Sequence, residues 1–111
     1  MKKIVATVLA ALIASPLCAE PLNGPQVKSL VGAGSLKFLA GSVGKFKADG
    51  SYSFQHGSKQ QKGSYSINDN GVLTFMDGNT KHAFIIDKTP AGKLDVIYIE
   101  GPQKGAKYRL R

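Results

Sequence analysis

The chain has no tryptophan, one cysteine and two histidines, and its 7 acidic residues are outnumbered by 15 basic ones. Each scarcity removes a class of chemistry. A single thiol, Cys18, cannot make an internal disulfide or a zinc-thiolate site. His56 and His82, with no third histidine or carboxylate in matching register, make no metal site. Asp49, Asp69 and Asp77 fall in turn-forming stretches, where Asp is expected for its local hydrogen bonds. Asp87, Asp95 and Glu100 are scattered, so no carboxylate pair stands out as general acid and base. No serine sits in a strand-to-helix elbow, and no glycine-rich loop precedes a helix to cradle a phosphate. The chain reads as a non-enzyme without metal or cofactor.

Long hydrophobic runs are also missing. The one uncharged apolar stretch, Ile4 to Ala14, is shorter than the roughly 20 residues a bilayer-spanning helix needs. It follows the cationic Met1-Lys2-Lys3 and precedes Pro16 and the small Ala19, the layout of a secretory signal peptide cut after Ala19. Its brevity suggests a bacterial exporter, and hence a periplasmic or secreted protein with no transmembrane segment after cleavage. Cys18 as a lipid-bearing residue is the alternative, and the bulky Leu17 before it opposes that processing. Cleavage would remove the only cysteine, so the domain must stand on its core alone.

The region after the leader divides into residues 20–34 and 35–111. In the first, Pro25 suits the opening turn of a helix, and Val27, Leu30 and Val31 recur at helical spacing until Gly32 and Gly34 stop it. In the second, the apolar period changes to two and turn residues recur at short intervals. Such a pattern predicts an antiparallel meander. The connections are too short for parallel crossovers. Pairing the strands by hand sets Tyr52 against Ile67, Phe54 against Tyr65, Ile67 against Leu73, Tyr65 against Phe75, Leu73 against His82, Phe84 against Val96 and Tyr98 against Tyr108. One apolar face then stays in phase throughout. With Leu36, Phe38 and Phe46 it forms the core of an all-β fold, an up-and-down meander closing into a small barrel of 7 or 8 strands, which leaves no free edge.

The stretches "GKFKADGSYSF" and "KGSYSINDNGVLTF" carry a strand, Asp-Gly, strand, Gly-x-Tyr-x-Ile, Asn-Gly, strand phrase. In this the chain resembles small exported barrels of the avidin-like and lipocalin-like kind, and short exported proteins of alphaproteobacteria. The resemblance covers Gly44 to Phe84 and implies a meander barrel with ligand binding at one mouth. The chain departs from lipocalins in its length and in lacking the tryptophan they place near the barrel's start.

Two candidate sites follow. Tyr52, Tyr65, His82, Tyr98 and Tyr108 face inward and would line a mouth that holds a small molecule; His56 continues the same phase. On the outer face Lys37, Lys45, Lys47, Lys107, Arg109 and Arg111 would gather into one basic patch if the first and last strands meet. That patch suits an anionic component of the envelope; it equally suits charged gatekeeping of edge strands. Nucleic acid is not expected, since no aromatic platform accompanies the lysines. Ala83, Ile85, Ile97 and Ile99 break the outer face's polarity, and such a patch needs cover. The helix would supply it; the alternatives are a homodimer or an inhibitor contact with another protein. Intact-mass analysis of the exported protein should find Glu20 as its first residue; a lipidated cysteine at the N-terminus would contradict the reading.

Overall fold

The computed structural model describes residues 20–111; the signal-peptide reading concerns residues outside those described. Strand β1 (Glu20–Pro21) leads into helix α1 (Gly24–Gly32). There follow β2 (Ser35–Lys37), β3 (Val43–Phe46), β4 (Ser51–His56), β5 (Lys59–Ile67), β6 (Leu73–Asp77), β7 (Thr80–Lys88), β8 (Leu94–Glu100) and β9 (Lys107–Arg109). Strands β2 to β9 pair in sequence order, each antiparallel to the next, and β1 adds to β7. The curled meander meets itself where Phe38 bridges Leu110. Backbone bonds from Leu39 N to Arg109 O and from Arg111 N to Lys37 O, both 2.8 Å, hold that seam. The fold is thus the all-β meander with one short helix that the alternation predicts.

The inward set is also as expected. Leu36, Phe38, Phe46, Tyr52, Leu73, Phe75, Phe84, Ile86, Val96, Tyr98 and Leu110 form one buried cluster. The β5–β6 register agrees with the sequence reading, Ile67 opposite Leu73 and Tyr65 opposite Phe75. Four other hairpin registers differ. Tyr52 faces Gly63 rather than Ile67, and Phe54 faces Gln61 rather than Tyr65, because a two-residue turn at Gly57-Ser58 replaces the wider loop. Gly57 has φ 62°, the left-handed value that such tight turns require. The β6–β7 turn is likewise Gly78-Asn79, so Phe75 faces His82 and Leu73 faces Phe84. Phe84 faces Tyr98 instead of Val96, with a bulge between Ala83 and Phe84. Val96, in turn, faces Tyr108.

Gly63 has a steric reason to be glycine. A Cβ there would lie 2.3 Å from Met76 O and 2.9 Å from the Tyr52 ring. Beyond it, Lys59 to Lys62 pair with β4, whereas the β5–β6 ladder covers only Tyr65 to Ile67. The lysines and glutamines of that Lys-Gln-Gln-Lys stretch are the residues expected on an edge kept from aggregating.

Helix α1 corrects one expectation. Its start is a capping box: Asn23 Oδ1 accepts from Gln26 N at 3.0 Å, and Gln26 Oε1 accepts from Asn23 N at 2.9 Å. Rather than covering Ala83, Ile85, Ile97 and Ile99, the helix packs against β2, β3 and β5. Val27 and Val31 are buried in the common core, so α1 plugs one end of the barrel. The outer patch loses its exposure differently. Ala83 is buried between Thr74 and Glu100, Ile85 pairs directly with Ile97, and both isoleucines are half-buried. Only Ile99 of the four is exposed.

The plug is tied down by backbone. Leu22 N donates to Ile86 O at 2.8 Å, and Gly24 N donates to Asp69 O at 2.9 Å. Gly71 passes so close to Leu22 that a Cβ would lie 2.0 Å from Leu22 O, and its φ is 85°. Gly71→Ala should therefore cost about 3 kcal/mol, combining left-handed strain with overpacking. Gly57→Ala, where a Cβ meets nothing within 4 Å, should cost only about 1 kcal/mol. Urea unfolding of the two variants checks the difference; equal losses would mean that the threading at Gly71 does not hold the plug.

Candidate functional site

With one end filled by α1, the opposite end opens. There the β2–β3 turn, the tip of the β4–β5 hairpin, the end of β6 and the β8–β9 loop surround a cleft of about 720 Å³. Its apolar lining is Phe38, Phe54, Tyr98 and Tyr108, and its polar lining includes Ser42, His56, Gln60, Gln61 and Gln103. Lys59, Lys62 and Asp77 supply the charges. The rings hold one another edge to face: Phe38 with Phe54 at 5.6 Å, Phe38 with Tyr108 at 6.3 Å and Tyr98 with Tyr108 at 5.9 Å between centroids. Such geometry sets the positive edge of one ring against the negative face of the next.

Polar groups at the rim are held as well. Ser42, buried in the β2–β3 turn, hydrogen-bonds through Oγ to Nδ1 of His56. That contact orients an exposed imidazole at the cleft entrance and leaves Nε2 for other partners. Tyr108 Oη donates to Gln103 Oε1, tying the β8–β9 loop to the aromatic wall. Gln61 Nε2 donates to Tyr52 Oη at 3.0 Å, and Tyr52 Oη donates to Met76 O at 2.8 Å.

The five inward candidates do not all meet here. Tyr98 and Tyr108 line the cleft. Tyr52 is buried behind Gln61 with both hydroxyl contacts satisfied. Tyr65 lies at the plugged end, where its hydroxyl donates to Lys47 O at 2.7 Å. It borders a second hollow of about 630 Å³ beside Lys28, Val31 and Phe46. His82 is buried with its ring stacked on Phe75, 4.7 Å between centroids and 6° between planes. Its Nδ1 has no hydrogen-bond partner among the described residues. Sequence reading missed Ser42, Gln61 and Gln103 and treated Phe38 and Phe54 as core alone. His56 had the available signal: it shares the inward phase of Tyr52 and Phe54, one step before a turn.

The basic residues do come together. Closing the seam sets Lys37 of β2 beside Arg111, and Ser35 of β2 faces Lys45 of β3. Lys62 joins them on the same outer face through Ser53, which it opposes. Lys47 and Arg109 are the exceptions, and Lys47 lies past the end of β3 beside the second hollow, at the plugged end. Asp87 and Asp95 stand directly opposite on β7 and β8, and Asp95 faces Arg109 on β9. Arg109 Nε and Nη2 grip both oxygens of the buried Asp95. The guanidinium's hydrogen bonds hold the Asp95 carboxyl below its ordinary range. One of the six cations is therefore committed to an internal carboxylate, a bidentate pairing suited to Arg.

Among the described residues no group of three or more His, Cys, Asp or Glu side chains could hold a metal ion, and no helix is long and apolar enough to cross a membrane. The chain matches no family model, no curated protein sequence and no solved structure.

Burial pushes the Tyr98 hydroxyl up to about 12, with Tyr108 and Tyr52 adding to the shift. Its folded value is above the ordinary value near 10, so its contribution to stability is complete below about pH 10 and disappears as pH rises through about 12. The loss amounts to about 3 kcal/mol. In an ultraviolet titration of the chain's 4 tyrosines, Tyr98 should ionise last. Tyr98→Phe should flatten the fall in stability across that alkaline window. An unchanged profile in the variant would assign the fall to another group.

Proposed function

We propose that the protein is an exported, non-catalytic binding module of the bacterial envelope that takes a small, ring-bearing ligand in the aromatic cleft at its open mouth. The observation that carries this reading is the asymmetry of the barrel's ends. Val27 and Val31 fill one end, while the other keeps a cleft of about 720 Å³ over Phe38, Phe54, Tyr98 and Tyr108. A mostly apolar hollow with a few convergent polar groups is the usual form of a small-molecule site.

The side chains suggest how selectivity would arise. A flat ring would insert against the edges of Tyr98 and Tyr108, displacing water from apolar surface. His56 Nε2 and the Gln60 and Gln61 amides at the rim would read a polar substituent. Lys59 and Lys62, set against the single carboxylate of Asp77, bias the entrance toward an anionic one. The resemblance of the stretch from Gly44 to Phe84 to avidin-like and lipocalin-like barrels implies binding at one mouth, which agrees with this reading without choosing the end.

Titration with the fluorescent probe 8-anilinonaphthalene-1-sulfonate tests the reading. Binding should saturate at one site. Tyr108→Ala and Phe54→Leu should each weaken it about tenfold, the effect of losing one ring contact. Tyr65→Phe, at the plugged end, should leave it unchanged. Probe binding that is indifferent to Tyr108 and Phe54 would remove the cleft from consideration.

A further inference from the structure

The outer face of β9, β2, β3 and β4 is chemically unlike the rest of the barrel. Across the seam Lys37 and Arg111 are direct neighbours, Arg111 N donating to Lys37 O. Side chains so placed on one sheet face sit about 5 Å apart at their Cβ atoms, where like charges repel. Lys45 and Lys62 lie in the next row, both flanking Ser53, and Lys107 extends the face toward the mouth. All five are exposed. Neither of the two ion pairs among the described residues, Lys81 with Glu100 and Arg109 with Asp95, engages any of them. Five of the chain's 7 acids lie elsewhere, on β1, β6, β7, β8 and the β5–β6 turn, and a sixth, Asp95, borders the face, gripped by Arg109 and close to Lys107. The seventh, Asp49, uses one oxygen to accept from the backbone and hydroxyl of Ser51.

Lys62 lies on the edge stretch of β5, but gatekeeping does not account for Lys37 and Arg111, because β2 and β9 meet there in the Phe38–Leu110 bridge and its two flanking backbone bonds. A second feature points to the kind of partner. Leu39 is 65% exposed, the most of any large hydrophobic residue among those described. It lies directly across from Arg109 and one alternation from Lys37. An apolar side chain standing out at the end of a row of cations fits a surface that is anionic outside and hydrocarbon within.

We infer that this face docks the barrel on an anionic lipid bilayer, the cations meeting headgroups and Leu39 entering the acyl boundary. Charge complementarity supplies the attraction, and Leu39 distinguishes a bilayer from a soluble polyanion. The inference does not depend on the cleft holding a ligand.

Sedimentation with vesicles tests it, using the protein recovered from the exported fraction. The protein should pellet with an equimolar mixture of phosphatidylglycerol and phosphatidylcholine, stay in solution with phosphatidylcholine alone, and be released in about 1 M salt, where the screening length falls to about 3 Å. Removing each cation near the surface should lower partitioning about fivefold, so Lys37→Ser with Arg111→Ser should lower it about 25-fold. Leu39→Ser should lower it about tenfold on vesicles and leave retention on a dextran sulfate column unchanged. Lys81→Ser, on the opposite side of the barrel, should have no effect. Thermal melts establish that the variants are folded, and the double variant should melt no lower than the parent because it removes a like-charge pair. Equal pelleting with neutral vesicles, no pelleting at all, or a double variant that binds as well as the parent would overturn the inference. So would a Leu39→Ser protein that keeps full vesicle affinity; the face would then belong to a soluble polyanion.

Discussion

The barrel depends on its seam. β2 and β9 are each three residues long, and the sheet's two ends meet in one bridge, Phe38 to Leu110, flanked by two backbone hydrogen bonds. Each such bond contributes only about 1 kcal/mol net. Burial contributes more, since Phe38 and Leu110 both point inward and are almost fully covered. Phe38 then meets Phe54 on one side and Tyr108 on the other. Without closure these three rings would have no reason to be neighbours, and the cleft would lose a wall. The basic residues of β2 and β9 would stand at opposite edges of an open sheet.

The two ends of the barrel are finished by different means. At one, Leu22, Asn23 and Gly24 thread between β7 and the β5–β6 turn, and the capped helix delivers Val27 and Val31 into the interior. The helix satisfies its first-turn donors with Asn23 and Gln26, so it can be short and still end in a buried apolar plug. At the other end no described element of the chain enters. The aromatic layer is covered only partly, by the β4–β5 hairpin tip and by the β8–β9 loop that Gln103 pins to Tyr108. A chain this small can fill one end from its own sequence; the mouth is what remains.

How much of this was legible follows from the period of a strand. Alternation fixes which residues point inward, because that depends only on odd or even position. Register depends on turn geometry, and four hairpins slipped relative to the sequence reading: by four residues between β4 and β5, and by two at each of the next three that differ. Every slip was even, so Phe75, Phe84, Val96 and Tyr98 kept their face although their partners changed. Two of the misreadings share one cause. Gly57 and Gly78 both adopt left-handed φ and make two-residue turns, whereas the surrounding polar residues suggested wider or differently centred loops. The bulge beside Ala83 had no signal in the pattern at all. The cleft was only partly legible because facing inward does not say whether a side chain meets another or meets water. Tyr52 and Tyr98 have the same phase, yet Tyr52 is buried behind Gln61 and Tyr98 borders the opening. The helix was legible as a helix, but its destination was not: an apolar stripe shows that a face needs cover, without showing which surface receives it.

Inside and outside of the seam are mechanically one object. Within three residues the chain leaving β2 turns Lys37 out, Phe38 in and Leu39 out, and the end of β9 answers with Arg109 out, Leu110 in and Arg111 out. A contact that grips Lys37 and Leu39 from outside restrains the backbone that carries Phe38 into the cleft wall. Conversely, a ring wedged against Phe38 and Tyr108 presses on the bridge that keeps Lys37 beside Arg111. Like-charge repulsion across the seam opposes closure, and anionic headgroups or high salt would relieve it. The same substitution, Lys37→Ser, would thus weaken docking while easing closure of the barrel. The two effects have opposite signs, and that separates a charge kept for a partner from one kept for the fold.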